Sequence, residues 1–298
     1  MLPEKPRILD FFGSREWEQL LEWATASLFH CQLCPWECGV DRRKQTGVCG
    51  QGVGAKFTNA VVHRGEEPPL IEGAGAGTVF FSGCNMKCVY CQNFGFSQLG
   101  NGNEVAPEQL SDAFLQLQEK GVCNLDLVTP TPHLPAILQA LSLAIPRGFH
   151  LPIVWNTSSY ESLEVLKRLE PVVDLYLADI RYTDDALGKR YSGVPDYWTR
   201  ARIAIREMFR QRGSRGLIIR HLVMPGGISG TASALSFVAE ELSTSVPVSL
   251  MSQYFPTFRA REFAQINRRI TPEEYQQAVQ LLEDNLLWNG WVQELEKR

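Results

Sequence analysis

No apolar run in this 298-residue chain approaches the ~20 residues that a membrane-spanning helix needs, so no membrane association is expected. The start also lacks a signal peptide: MLPEKPRILDFF carries charges where an apolar core would stand. The expected location is cytoplasmic. Neither sign of charge dominates, with 29 Lys and Arg against 33 Asp and Glu and a net charge of −4. A sequence-independent nucleic-acid surface calls for a basic face, and nucleic acid is accordingly not expected as a partner. Internal repeats and low-complexity tracts are lacking apart from Gly73-Ala74-Gly75-Ala76-Gly77. Disulfides are rare in a reducing compartment, so the eight cysteines point to metal binding or redox chemistry.

The chain does have the material for a sizeable core, at 44% hydrophobic residues. Its length suits about two domains, or one barrel with an appendage. From residue 78 onward, short apolar runs alternate with helical patterns. The predicted strands are Thr78–Ser82, Leu125–Thr129, Pro152–Asn156, Val172–Asp179, Leu217–Met224 and Val246–Met251. The first helix pattern, Pro107–Lys120, sets Leu110, Ala113, Phe114 and Leu117 on one face, and the next repeats that stripe at Leu134, Ile137, Leu138 and Leu141. Further helices are predicted near Glu161–Leu169, Asp196–Gln211 and Thr231–Leu242. A last one starts at Thr271, where Thr271 and Glu274 form a capping box.

Strands that read as continuous apolar runs are covered on both faces, and such alternation implies a parallel sheet with right-handed crossovers. Six units are too few for a closed eight-unit barrel. The predicted fold class is therefore α/β, an open, partial (β/α)6 TIM-like barrel with a small N-terminal four-cysteine module and a C-terminal helix. The expected domains are 1–77 for the four-cysteine metal-binding module, 78–260 for the partial barrel and 261–298 for the C-terminal helical segment.

Two cysteine groups carry the chemistry. Cys84, Cys88 and Cys91 form a C-x3-C-x2-C run directly after the first strand, where parallel α/β folds put their active-site loops. Three thiolates leave a metal position open, the mark of a catalytic rather than a closed structural site. Cys31, Cys34, Cys38 and Cys49 supply four soft ligands close in sequence, which fits zinc or an iron–sulfur cluster. Cys123 reads as a small buried hydrophobe. His63, Glu66 and Glu67 read as a charged solvated loop, with lining of the substrate opening as the alternative; His133 and His221 read as structural, with a reach into the site as the alternative, and Trp288 and Trp291 as core or interface anchors.

The loop GCNMKCVYCQN resembles the cluster-binding loop of radical S-adenosylmethionine (SAM) enzymes, C-x3-C-x-aromatic-C. Further segments (CPWECGVDR, HRGEEPP, LVTPTPHLP, IVWNTSSYE, LYLADIRY, IRHLVMPG and SLMSQYFP) resemble radical SAM iron–sulfur proteins related to pyruvate formate-lyase activating enzyme. The resemblance implies that Cys84, Cys88 and Cys91 hold three irons of a [4Fe–4S] cluster whose fourth iron chelates SAM. Reductive cleavage of SAM then yields a 5′-deoxyadenosyl radical that abstracts hydrogen from the substrate.

The same resemblance assigns Tyr90 to the adenine. It aligns Asn156, Thr157 and Ser158, Asp179 and Arg181, Arg220 (toward the SAM carboxylate), and Gln253 and Tyr254 with SAM-contacting positions. Where many of these enzymes carry Gly-Gly-Glu, this chain reads Thr129-Pro130-Thr131-Pro132-His133, with Thr129 or Thr131 as the donor. The implied partners are SAM, a one-electron reductant such as flavodoxin or ferredoxin, and a protein substrate. The implied activity is hydrogen abstraction from a protein or peptide backbone, as in glycyl-radical activation. Modification of a small molecule or RNA base is the alternative. A different class is a non-catalytic iron–sulfur or zinc protein of electron transfer or assembly.

Overall fold

A computed structural model describes residues 1–295, which form a mixed α/β fold of two compact units. The first unit comprises Met1–Asn85, Gly95–Thr157 and Glu161–Tyr176, and the second Met86–Phe94, Ser158–Tyr160 and Leu177–Arg298. Residues 1–77, expected as a module of their own, thus share one unit with the first half of the predicted barrel.

After a single helical turn at Ile8–Phe11, the first unit carries helix α1 (Arg15–Ala26), capped by the Ser14 hydroxyl, which accepts from Trp17 N at 3.1 Å. Strand β1 (Ala55–His63) pairs antiparallel with β2 (Ala76–Phe81) and with the short β3 (Asn103–Val105). Helix α2 (Pro107–Glu119) follows, with Pro107 in its first turn and Leu110, Phe114 and Leu117 buried as their spacing predicts. Strand β4 (Leu125–Val128), helix α3 (Leu134–Ala144), strand β5 (Ile153–Thr157) and helix α4 (Leu163–Leu169) complete the alternation. β2, β4 and β5 run parallel, with Gly77 opposite Leu125 and Leu125 opposite Ile153. The strand order is β3-β1-β2-β4-β5. All five residues of β5 are buried, which explains why its sequence shows no polar alternation.

The second unit takes up most of β6 (Leu175–Ile180), then helices α5 (Asp185–Ser192) and α6 (Tyr197–Arg212). Strand β7 (Leu217–Leu222) and helix α7 (Thr231–Phe237) come next, followed by β8 (Val248–Met251), helix α8 (Pro272–Asp284) and β9 (Trp291–Val292). The order is β6-β7-β8-β9, with β7–β8 and β8–β9 parallel. The capping box of α8 is present: Glu274 N donates to Thr271 Oγ1 and Thr271 N to Glu274 Oε2. Tyr275 and Ala278 of that helix pack on Val223 and Leu250.

The six predicted strands are all present, and the strand order within each unit is open as expected. The differences are local. The helix predicted over Thr231–Leu242 is α-helical only to Phe237, and Val238–Leu242 is a π-helical turn. The strand predicted from Val172 begins at Leu175. α1, β1, β3, β9 and α5 had no prediction. β1 and β3 mix buried and exposed positions irregularly, β9 has two residues, and α5 is polar and short. Trp288 lies 65% exposed, outside any core.

Candidate cluster loop and four-thiol site

The cluster loop after β2 passes from one unit to the other: Cys84 and Asn85 belong to the first, and Met86 through Phe94 to the second. In the second unit the loop backbone is held on both edges. Lys87 N and Val89 N donate to Ser192 O and Tyr191 O at 2.8 Å each, and Val89 O accepts from Arg259 N at 2.8 Å. Ser192 ends α5, with left-handed Gly193 as its cap, so the helix terminus offers free carbonyls there. The Ser192 hydroxyl donates to Cys88 Sγ at 3.0 Å. Burial pushes the Cys88 thiol up, and the nearby Arg181 guanidinium opposes that shift.

Tyr90 is buried against Tyr182 and Tyr254, with ring centroids 6.3 and 5.8 Å apart. Asp179 gathers two arginines: Oδ2 accepts from Arg181 Nη2 at 2.7 Å, and Oδ1 from Arg220 Nε at 2.8 Å. Arg181 Nε is buried with no hydrogen-bond partner. Cys88, Tyr90, Asp179, Arg181 and Arg220 therefore share one neighbourhood. The Ser158 carbonyl enters it by accepting from Tyr197 Oη at 2.9 Å. The carbonyl of Gln253 accepts from Gln92 Nε2 at 3.0 Å. Gln92, Gln253, Tyr254, Phe255 and Arg268 line an open cleft of about 1350 Å³.

In the first unit, the ends of β4 and β5 meet. Thr129 adopts φ +58°, a left-handed conformation that a β-branched residue rarely takes, and its N–H donates to Asn156 O at 2.9 Å. Asn156 Nδ2 donates to Glu66 Oε2 at 3.4 Å, so Glu66 is not part of a purely solvated loop. The hydroxyls of Thr131 and Thr157 both donate to Glu161 Oε1, at 2.6 and 2.5 Å. Glu161 is buried, its carboxyl is raised above the usual range by desolvation, and its Oε2 has no partner.

His133 stacks on Phe81 at 4.7 Å, and its Nε2 lies 2.8 Å from Ser82 O. His221 is likewise structural, between Ile180 O and Thr231 Oγ1. Burial lowers His133 to about 3, with Arg42 adding to the shift, and burial lowers His221 to about 4. Both values lie below the unfolded 6.5. The unfolded chain therefore takes up protons first, and stability is complete above about pH 6.5 and lost as pH falls toward the folded values. Urea midpoints should drop between pH 7.5 and 5 by an amount equivalent to a few kcal/mol, at 1.36 kcal/mol per pKa unit. His133→Gln should flatten that slope, and a midpoint unchanged with pH would contradict this account.

Cys31, Cys34, Cys38 and Cys49 line one cavity of about 10 Å³, together with Arg42, Trp36, Thr131 and Pro132. None of the eight cysteines is in a disulfide. A Cβ on Gly47 would stand 3.2 Å from Cys38 Sγ and 3.6 Å from Cys49 Sγ. Among the described residues no three His, Cys, Asp or Glu side chains already stand in ligating geometry, so the thiols would have to turn inward to close on an ion. Burial raises Cys31 and Cys34; Arg42 pulls Cys31 back down. Arg42 is 3% exposed, and its Nε and Nη1 lack hydrogen-bond partners. Cys123 Sγ donates to Leu70 O at 3.1 Å and joins neither group.

Residues to which sequence reasoning gave no role stand at these sites: Trp36, Arg42, Glu161, Tyr182 and Ser192. A signal existed for Trp36 and Arg42, which sit inside the cysteine segment. The others are brought in by tertiary packing.

Residues 78–227 match the Radical SAM superfamily. An uncharacterized protein of Methanocaldococcus jannaschii is 32% identical over 292 residues, covering 94% of this chain and 79% of that relative. The pyruvate formate-lyase-activating enzyme of Clostridium pasteurianum is 28% identical over 150 residues, 46% of this chain and 60% of its own. Among solved structures, methylornithine synthase superposes with a TM-score of 0.49 at 14% identity, covering 96% of this chain and 73% of its own. The family match begins inside β2, takes in the three-cysteine loop and runs past β7, about half the chain; this protein belongs to the radical SAM superfamily.

Proposed function

We propose that this protein cleaves SAM at a [4Fe–4S] cluster held by Cys84, Cys88 and Cys91 and directs the resulting radical to a peptide or protein backbone. The donor set fits the cluster: three thiols on one loop, none in a disulfide, with the buried Arg181 Nε, which has no hydrogen-bond partner, beside Cys88 and suited to an anionic iron–thiolate group. When bound, the cluster supplies the electron that opens the SAM sulfonium bond. The chain's own residues orient and shield. Ser192 donates to the Cys88 sulfur, and hydrogen bonds to cluster sulfurs tune potential. Arg220 and Asp179 offer complementary charge to the SAM carboxylate and amino group, and Arg181 neutralises the cluster side. Tyr90, Thr129, Asn156, Thr157, Ser158, Gln253 and Tyr254 complete the SAM contacts. Glu66, bonded to Asn156, supplies a carboxylate near that strand end.

The observation that carries the choice of substrate class is the cleft of about 1350 Å³ beside Gln92 and Gln253. Sites for small molecules are commonly about 300–1,000 Å³ and enclosed, whereas this one is larger and open. The Clostridium pasteurianum relative, named for activating pyruvate formate-lyase, supports the same direction. Cys31, Cys34, Cys38 and Cys49 hold a second metal in this reading.

The decisive experiment is anaerobic. Reconstituted protein, SAM and dithionite should release methionine and 5′-deoxyadenosine. Deuterium from a glycine-labelled peptide should then appear in the 5′-deoxyadenosine. Absence of 5′-deoxyadenosine from fully loaded protein would sink the enzymatic reading. Its formation without deuterium transfer from any peptide would move the substrate to small molecules or RNA bases.

A further inference from the structure

We infer that residues 253–259 form a strap that positions Cys91 for cluster binding, and that Phe258 is the residue that sets its path. The inference rests on reading Cys84, Cys88 and Cys91 as the cluster ligands.

Within the second unit the three-cysteine loop is held from two sides. The end of α5 holds the Cys88 side, through Lys87 N, Val89 N and the Ser192 hydroxyl. The chain just after β8 holds the Cys91 side. Tyr254 sets its ring 5.8 Å from that of Tyr90, the residue before Cys91. Gln92, the residue after Cys91, donates from Nε2 to Gln253 O at 3.0 Å. Phe258 stacks on Phe94, with centroids 5.0 Å apart and planes inclined by 12°. Phe94 N in turn donates to Cys91 O at 3.3 Å, closing the turn that carries the thiol. Arg259 N donates to Val89 O at 2.8 Å. None of these strap contacts uses a sulfur, so the strap shapes the loop through backbone, one amide and rings. A ligand held in place by its surroundings has less order to lose when it binds.

Phe258 shows that the path of the strap is imposed. Its φ of +51° is left-handed, a conformation that a bulky residue adopts only where the surrounding contacts over-determine it. Here the turn sends the Phe258 ring to Phe94 and the next N–H to Val89, two residues of the same loop. Glycine would take that φ freely but would bring no ring. Both rings are only half-buried, so their stack adds little to the core and its effect falls on the loop. The far end of the strap is tied down in turn: the Arg259 guanidinium donates to the Glu262 carboxylate at 2.7 Å, and Tyr254 Oη donates to Ile266 O at 2.7 Å. Gln253, Tyr254, Phe255 and Pro256 also line the open cleft, so one segment both borders the cleft and holds the loop.

The test uses the full chain, reconstituted anaerobically, with iron release to a chelator as the readout. The chain lacking Cys84, Cys88 and Cys91 gives the background from the other cysteines. Phe258→Gly removes the ring and the strain together. Its urea midpoint should stay near the parent's, while iron leaves roughly two- to ten-fold faster, the worth of one ring stack. Phe258→Tyr keeps the ring and should restore the parent's rate. Phe94→Leu keeps an apolar side chain and should match Phe258→Gly, and the double variant should be no faster than either single one. Faster release that tracks a fall in the urea midpoint, with additive effects in the double variant, would reduce the strap to ordinary packing and overturn the inference. Release at the parent's rate from both single variants would overturn it too, while leaving the cluster in place. A parent chain that holds no iron above background would instead take down the cluster reading, and the strap's role with it.

Discussion

A chain carrying Cys84→Ala, Cys88→Ala and Cys91→Ala is expected to form no 5′-deoxyadenosine above background while keeping its second metal. The effect should be all-or-none for the reaction, because the cluster alone can supply the electron that opens the sulfonium bond. The fold should survive. Cys88 is 4% exposed, so its truncation leaves a small cavity, but one thiol removed from a loop costs only ~1 kcal/mol. The loop backbone keeps its bonds to Ser192 O, Tyr191 O and Arg259 N, none of which involves a sulfur. Iron and zinc counts, with a far-UV spectrum as the control for folding, check the expectation. Loss of all metal would show that the seven cysteines do not divide into a group of three and a group of four.

The second large effect is expected at the Asp179 charge cluster. Arg220→Ala removes one of the two guanidiniums on Asp179, and the paired side chains are only 16% and 10% exposed. Breaking a buried pair costs about 3–5 kcal/mol, and partial exposure with Arg181 still in place should bring this to roughly 2–4 kcal/mol. The change should also remove a charged hydrogen bond to the SAM carboxylate, worth about 1.5–3 kcal/mol, or roughly ten- to hundred-fold in Kd. Arg220→Lys keeps the charge but not the planar fork, and should fall between. Asp179→Asn should destabilise more than Arg220→Ala, since it leaves two guanidiniums without their anion. Urea denaturation and anaerobic calorimetry separate the two terms. A destabilised Arg220→Ala chain that binds SAM normally would reduce Arg220 to a structural role.

The cluster loop was legible because its information is local: three thiolates at C-x3-C-x2-C spacing need no tertiary partner to be recognised. The parallel strands were legible for a related reason. Strands such as Ile153–Thr157, buried along their whole length, leave an unbroken apolar run. The antiparallel β1 and the two-residue β9 left no such trace, because their faces mix burial and exposure. The Thr129–His133 loop was half legible. Its prolines announced a loop, but only the structure shows Thr131 bonded to Glu161 and His133 to Ser82 O.

By itself, the sequence determined the chemistry: an incomplete thiolate set after the first parallel strand, and four further thiolates close enough to share a metal. Both readings rest on spacing along the chain, so they needed no coordinates. The tertiary structure decided what surrounds the thiolates. It brought Ser192 to the Cys88 sulfur across 104 positions in sequence, buried Arg42 beside the four cysteines with Nε and Nη1 lacking hydrogen-bond partners, and laid Trp36 and Cys49 on either side of Cys84. Such contacts depend on which surfaces pack after folding, and packing is a property of the whole core rather than of any local run of residues.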